Sequence, residues 1–202
     1  MPPKPSSYIV KFTPMPDSTL TEHLILGIDP GTNIMGYALL KTRLRNSEIV
    51  TLDVLKMNRL SDQCSKLKAI YDGVTQLIEQ YHPDILSIEE PFYGKNPQSM
   101  LKLGRAQGVA IGACLHAGME VFEYTPRRIK QSITGKGSAS KEQVAAMLHH
   151  MYDFSSESPY LDATDALAAA VCHHLQCRLD FGKGKANSWA AFLSQNQDRI
   201  IR

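Results

Sequence analysis

Apolar and polar residues alternate in the first part of the chain in a way that is typical of β-strands. Three short segments combine this alternation with β-branched residues, and they predict strands over His23–Asp29, Met35–Lys41 and Glu48–Met57. Because only short connections separate these segments, we expect the three strands to pair antiparallel.

After residue 60 the pattern changes, and helices alternate with strands. Apolar side chains at three- and four-residue intervals predict a helix over Ser61–Tyr81, with Ser61 as its N-cap. Two more strands are predicted over Asp84–Glu89 and Glu120–Tyr124. The remaining predicted helices cover Gln98–Ala117, Arg127–Ile133, Ser140–His150 and Tyr160–Cys177.

The order of these elements predicts an α/β fold. A three-stranded meander followed by two strands, each reached through a helix, gives a five-stranded mixed β-sheet flanked by α-helices, which is the ribonuclease H-like layout. Residues 1–22 are rich in proline and serine, and we expect a disordered or loosely docked leader there. Residues 23–179 form the predicted folded domain, and residues 180–202 form a basic tail.

The composition is typical of a soluble protein. The chain has 202 residues, enough for one domain with a single core, and 43% of them are hydrophobic. It has neither an apolar run of the ~20 residues that cross a bilayer nor the apolar segment of a secretory signal. We therefore expect a cytoplasmic protein with no membrane partner, in which the four cysteines stay free thiols.

Basic residues cluster in two stretches of the chain. The formal net charge is only +2, which by itself does not indicate a nucleic-acid-binding protein. Residues 125–141 nevertheless carry five basic residues and no acidic one, and residues 93–108 carry three and no acidic one. Such stretches are either solvated surface or a binding surface for a polyanion.

Acidic residues end two of the predicted strands. Asp29 closes an apolar strand, and the following Pro30 and Gly31 turn the chain away from the sheet. Glu89 and Glu90 end the fourth strand, and because side chains alternate between faces, only one of them can share a site with Asp29. Alternation alone does not identify which one. An Asx turn is the alternative role for Asp29.

A second acidic pair, Asp162 and Asp165, lies one turn apart on the last predicted helix. Favourable charge at a helix N-terminus is the alternative explanation, and it accounts for Asp162 better than for Asp165. Carboxylates that converge from two strand ends and a helix suit hard cations such as Mg²⁺. Two such ions ~3.5–4 Å apart can hold a phosphodiester, activate water and stabilise the leaving oxygen, so this arrangement points to a nuclease.

Several short elements follow one another in a characteristic order along the chain. They are Gly27-Ile28-Asp29-Pro30-Gly31 with Gly36-Tyr37, Ile88-Glu89 followed by Phe92 and Lys95-Asn96, Leu101-Lys102-Leu103-Gly104 with Gln107-Gly108, Lys130-Gln131, and Asp162-Ala163-Thr164-Asp165-Ala166-Leu167-Ala168. Taken in order, they resemble the motifs of the RuvC-type Holliday-junction resolvases, bacterial endonucleases that cut four-way DNA junctions. The resemblance extends roughly from residue 23 to residue 177 and leaves both ends of the chain unexplained.

The resemblance implies a metal-dependent reaction. By position, the metal ligands would be Asp29, Glu89, Asp162 and Asp165, so that Glu89 rather than Glu90 is the acid of the fourth strand. Two Mg²⁺ ions per active site are implied, for which Mn²⁺ can substitute. Lys141 would be a further catalytic residue near the scissile bond, where a cation offsets the charge of the transition state.

The resemblance also implies how DNA is held. Phe92 occupies the position where the family presents an aromatic side chain to the junction centre, and a ring can stack on an unpaired base. Burial in the core is the alternative for this phenylalanine. The residues expected to contact phosphates are Lys95, Arg105, Lys130, Lys136 and Lys141.

The implied partners are four-way junction DNA, a second copy of the chain in a homodimer, and the RuvA-RuvB branch-migration complex. The predicted helix over 98–117 is more apolar than one buried face requires, and we expect the surplus to form the dimer contact. The apolar residues in question are Met100, Leu101, Leu103, Ala110, Ile111, Ala113 and Cys114.

Two other functions compete with junction cleavage. Asp29-Pro30-Gly31-Thr32 also resembles the phosphate loop of the actin-like ATPases, although those enzymes generally enclose a nucleotide between two lobes and this chain has length for one. A non-catalytic junction-binding module is the other candidate, in which the acids only cap turns and helices.

Overall fold

The computed structural model describes residues 22–43, 46–90, 96–152, 154 and 161–182, with side chains described as far as residue 177. Five strands and five helices are found in these ranges. The strands are β1 (Glu22–Asp29), β2 (Ile34–Arg43), β3 (Asn46–Lys56), β4 (Ile85–Glu89) and β5 (Glu120–Tyr124). The helices are α1 (Gln63–Tyr81), α2 (Pro97–His116), α3 (Pro126–Thr134), α4 (Lys141–Met151) and α5 (Leu161–Gly182).

The strands form one mixed sheet in the order β3-β2-β1-β4-β5. The first three strands pair antiparallel, and β4 and β5 continue the sheet parallel to β1. The predicted five-stranded α/β sheet is therefore confirmed. The pairing of β1 with β4 ends at Ile28 and Ile88, so Asp29 and Glu89 follow side by side at the carboxyl edge of the sheet.

Each face of the sheet is covered by helices and has its own apolar core. Ile25 and Ile85 belong to the core that is shared with α3, α4 and α5. Leu26 and Leu86 belong to the core on the opposite face, which is shared with α1 and α2. Alternation of side chains along β1 and β4 therefore assigns odd-numbered residues of both strands to the α5 face.

Two glycines of the sheet let α5 lie directly on the strands. A Cβ atom at Gly27 would stand 2.1 Å from the carbonyl oxygen of Ala166, and one at Gly36 would stand 1.9 Å from that of Asp162. Both distances are far below van der Waals contact, so only glycine fits. Because Ala166 and Asp162 belong to the first turns of α5, these glycines fix how closely its acidic end approaches the sheet.

Two element boundaries differ from the sequence prediction at the ends of the domain. Helix α5 continues to Gly182, because no proline or glycine interrupts it earlier, so residues 180–182 belong to this helix and not to the tail. Strand β1 begins at Glu22, which we had placed in the leader. The rest of the leader, 1–21, and of the tail, 183–202, lies outside the described residues.

The predicted N-cap of α1 was also wrong. The helix begins at Gln63, and the carboxylate of Asp62 accepts a hydrogen bond from the Ser65 backbone N–H at 2.8 Å. Asp62 therefore performs the capping role that we had assigned to Ser61. In the part of the chain that the structure describes, no helix is both long and apolar enough to cross a membrane.

Because α5 lies so close to the sheet, a single methyl group added at Gly27 should strongly destabilise the fold. We expect Gly27→Ala to lower the free energy of unfolding by about 2–4 kcal/mol, since the new Cβ meets rigid backbone. Gly73→Ala is the matched control: there the three atoms nearest to the new Cβ all belong to the flexible side chain of Leu55, and alanine favours the helix. Urea unfolding of both variants checks this, and equal stabilities would contradict it.

Candidate active site

Strand geometry brings Asp29 and Glu89 to the same side of the sheet edge. In β4, Ser87 faces α5 and donates a hydrogen bond to the carbonyl oxygen of Ala169 at 2.7 Å. Two residues further on, Glu89 points to the same face, as Asp29 does two residues after Gly27. Glu90 is exposed and follows the opposite alternation. The structure therefore separates the two glutamates that the sequence pattern left open.

Helix α5 adds the second acidic pair from above the sheet. Asp162 lies in its first turn, where its backbone packs against Gly36, and Asp165 lies one turn later. Both side chains are partly buried. Asp165 acts electrostatically on both Asp29 and Glu89, and Asp162 acts on Asp29 and Asp165. The four acids from β1, β4 and α5 thus form one acid cluster.

Burial and mutual repulsion make the acid cluster costly to ionise. Burial, reinforced by the charges of Asp165, Glu89 and Asp162, raises the pKa of Asp29 to about 8. Burial is also the main reason why the pKa values of Glu89 and Asp165 lie above their usual range. Near neutral pH, the cluster therefore favours either a bound proton or a neighbouring cation.

Two lysines supply positive charge beside these acids. Lys141, the first residue of α4, donates a hydrogen bond from Nζ to Asp165 Oδ2 and forms an ion pair with it. Burial lowers the pKa of Lys141, but the bond to Asp165 and the charges of Asp29 and Glu89 outweigh this and raise it. Lys130 of α3 acts on Glu89 and Asp165 from a greater distance. Ser140 caps α4 and so fixes where Lys141 enters the site.

A cavity of about 500 Å³ opens next to the acid cluster. Its lining includes the acids Glu89 and Asp165 and the basic residues Arg127, Lys130 and Lys141. The first turn of α3, with Thr125 as its N-cap, borders the same space. A negatively charged ligand in this cavity would therefore meet both basic side chains and acids that need a cation.

The donor set of the acid cluster fits a hard divalent cation. All four candidate ligands are carboxylates, which Mg²⁺ prefers, and the raised pKa values of Asp29, Glu89 and Asp165 show that positive charge nearby would be favourable. Among the described residues, no three acidic, histidine or cysteine side chains are already close enough to enclose an ion. The ammonium of Lys141 provides the local positive charge instead.

Each of the remaining predicted site residues either does not line the cavity or lies outside the described residues. Arg105 is exposed on α2 and Lys136 lies in the loop after α3, and neither belongs to the described residues that line the cavity. Phe92 and Lys95 lie outside the described residues, so their predicted roles stay predictions. Conversely, Arg127 lines the cavity although we assigned it no role. Its place in the basic stretch over 125–141 was the signal that could have found it.

Comparison with known proteins was consistent in sequence and in structure. The family model described as crossover junction endodeoxyribonuclease RuvC matches residues 25–173. The curated protein of that name from Cytophaga hutchinsonii is 48% identical over 179 residues, covering 89% of this chain and 88% of its own. That of Bacteroides fragilis is 46% identical over 181 residues and covers 89% of this chain and 96% of its own.

Among solved structures, Thermus thermophilus RuvC in complex with a Holliday junction substrate has a TM-score of 0.73 and 26% identity, over 78% of this chain and 96% of that chain. The yeast mitochondrial Holliday junction resolvase has a TM-score of 0.56 and 13% identity, over 78% of this chain and 82% of that chain, and shares the fold.

The raised pKa of Asp29 predicts how stability depends on pH when no metal ion is present. The folded state keeps the proton between pH 4 and about pH 8, where the unfolded chain has lost it, so ionisation of Asp29 increasingly opposes folding as pH rises through this window. Asp29→Asn should therefore gain stability relative to the parent, by about 1–3 kcal/mol at pH 8 and much less at pH 5.

Urea unfolding in EDTA at both pH values measures this difference. A variant whose stability relative to the parent is the same at pH 5 and pH 8 would contradict the assigned environment of Asp29.

Proposed function

The chain belongs to the RuvC family of crossover junction endodeoxyribonucleases, and we propose that its acid cluster carries out the cleavage by a mechanism that uses two divalent ions. Its function is to resolve four-way Holliday junctions in DNA, by hydrolysing phosphodiester bonds on paired strands. The single observation that supports the mechanism best is the convergence of partly buried carboxylates from β1, β4 and α5 at one sheet edge.

The ligands of these ions would be Asp29, Glu89, Asp162 and Asp165. The ions would be Mg²⁺, with Mn²⁺ as a substitute, and they would supply activation of water and stabilisation of the leaving oxygen of the phosphodiester. The protein contributes a rigid frame, because Gly27 and Gly36 hold α5 against the strands that carry Asp29 and Glu89. Once its charge is neutralised, the acid cluster would also allow a phosphate to approach it.

The basic residues that line the cavity would hold the DNA backbone. Lys141 would exchange its contact with Asp165 for one with the scissile phosphate, where it would offset the charge of the transition state. Lys130 and Arg127 would contact neighbouring phosphates from the same cavity. We assign Lys95, Arg105 and Lys136 to phosphates further from the cut, and Phe92 to stacking at the junction centre.

Neither alternative function gains support. An actin-like ATPase is disfavoured because the RuvC family model accounts for residues 25–173, almost the whole described fold. A non-catalytic module would not require four acids to converge. Their convergence makes ionisation unfavourable, since burial and the neighbouring acids raise the pKa of Asp29 to about 8. We propose that the protein acts in the cytoplasm together with the RuvA-RuvB branch-migration complex, as family membership suggests.

We propose that the protein is a homodimer in which two copies pack through α2. Three of the apolar α2 residues predicted at the dimer contact cannot take part in it, because Ala110, Ala113 and Cys114 are buried in the chain's own core. The exposed face of α2 instead carries Leu101 and Leu115, which are 64% and 57% exposed. Three glycines on this helix, Gly104, Gly108 and Gly112, have open space where a Cβ would stand, so a second helix can approach closely.

Replacing one acid at a time tests the active site. Glu89→Gln should slow cleavage of a synthetic four-way junction by on the order of 100-fold or more, because a metal ligand loses its charge. Glu90→Gln is the matched control, since it makes the same chemical change one residue away on the other face and should cleave like the parent. Junction binding in EDTA should be retained by both variants, and a linear duplex should not be cut by either.

Equal cleavage rates for Glu89→Gln and the parent would overturn the assignment of Glu89. Loss of junction binding together with cleavage would indicate damage to the fold and not to the chemistry.

Light scattering tests the dimer. The parent should have twice the chain mass of 22.5 kDa at micromolar concentration, whereas Gly112→Gln should shift the mass toward one chain because its side chain occupies the contact face. Glu79→Gln, on the exposed surface of α1, is the control and should stay dimeric. A monomeric parent, or a dimeric Gly112→Gln, would contradict the proposed interface.

A further inference from the structure

Helix α2 buries one polar side chain against the sheet, that of Gln107. Its residue is only 4% exposed, and its amide lies between the ends of β4 and β5. The Nε2 atom donates one hydrogen bond to Glu123 Oε2 at 2.9 Å and a longer one to the backbone carbonyl oxygen of Glu89 at 3.4 Å. An amide nitrogen has two hydrogens, so one group can serve both acceptors.

The carboxylate of Glu123 fixes which way this amide points. A carboxylate only accepts hydrogen bonds when ionised, so the nitrogen of Gln107 and not its oxygen must face Glu123. With the nitrogen turned this way, it also faces the Glu89 carbonyl. Glu123 is exposed, and it therefore orients a buried group from the surface of the domain.

The hydrogen bond from Gln107 reaches Glu89 at the point where β4 is paired with a neighbouring strand on one side only. The ladder between β1 and β4 ends at the Ile28–Ile88 pair, whereas the ladder to β5 continues to Glu89 and Tyr124. On the β5 side, the Glu90 backbone N–H bonds to the carbonyl oxygen of Tyr124 at 2.9 Å. Gln107 adds a tether to the Glu89 peptide from the helix layer.

From this geometry we infer that Gln107 is a positioning residue for Glu89: it holds the end of β4 so that the Glu89 carboxylate faces Asp29 and Asp165. The inference rests on the proposed metal-dependent function. Repulsion from Asp165 tends to push Glu89 out of the cluster, and a tether on its peptide resists that displacement. A divalent ion then meets a carboxylate that is already in place, which lowers the cost of organising the site.

The test measures metal binding separately from cleavage. Gln107→Leu keeps a similar volume but removes the donor, and it should weaken Mn²⁺ binding to the DNA-free protein by at least about threefold, as measured by calorimetry. The Mn²⁺ concentration that gives half-maximal junction cleavage should rise by the same factor. Junction affinity in EDTA should stay within about twofold of the parent, because no phosphate contact is lost.

A second pair of variants leaves the buried side chain intact in case Gln107→Leu does not fold. Glu123→Ala removes the acceptor that orients the amide, and it should also weaken Mn²⁺ binding. Glu123→Gln keeps an acceptor oxygen for Nε2 and should restore binding to within about twofold of the parent. This restoration separates orientation of the amide from loss of charge, because both variants remove the carboxylate.

The inference would be overturned if Glu123→Ala bound Mn²⁺ as tightly as the parent. The same holds if Gln107→Leu folded and bound Mn²⁺ like the parent, even with a lower melting temperature. Gln107 would then be a purely structural residue. A parent protein that binds no Mn²⁺ and cuts no junction would instead overturn the proposed function itself.

Discussion

The structure depends on keeping several carboxylates close together at the partly buried carboxyl edge of the sheet. Asp29, Glu89 and Asp165 repel one another, and burial removes the water that would screen them, which raises the pKa of Asp29 to about 8. Such a cluster persists only if the surrounding fold is rigid. Here the rigidity comes from adjacent β1 and β4 and from α5, whose backbone meets Gly27 and Gly36 without intervening side chains.

The same repulsion explains why the site is surrounded by basic groups. Lys141 neutralises Asp165 in the structure, and Lys130 acts on Glu89 and Asp165 from α3. Without these cations the acids would also repel the phosphates of a DNA substrate. In the proposed function, the cations that line the cavity beside the acids would therefore serve two purposes, stability of the free protein and attraction of the substrate.

The five strands, their mixed sheet and the places of the candidate acids at strand ends and on the last helix could be predicted from the sequence, because they depend on short-range patterns. Glu89 and Glu90 could not be separated by strand alternation alone, since that requires knowing which face α5 covers. Gly27 was a partial signal for which face a helix covers. It lies on the same face as Asp29, and because glycine has no side chain to cover the strand, a helix must pack closely there. The contacts of Lys141 and Gln107 were not predictable, because they join elements that only the tertiary fold brings together.

Crystals grown with Mn²⁺ would test metal binding by the acid cluster, because an anomalous difference map locates the metal. We expect peaks within coordination distance of the carboxylates of Asp29, Glu89 and Asp165, together with loss of the contact between Lys141 and Asp165. Peaks bound elsewhere, with that ion pair intact and the acid cluster free of metal, would contradict the claim that these carboxylates are gathered to bind divalent ions.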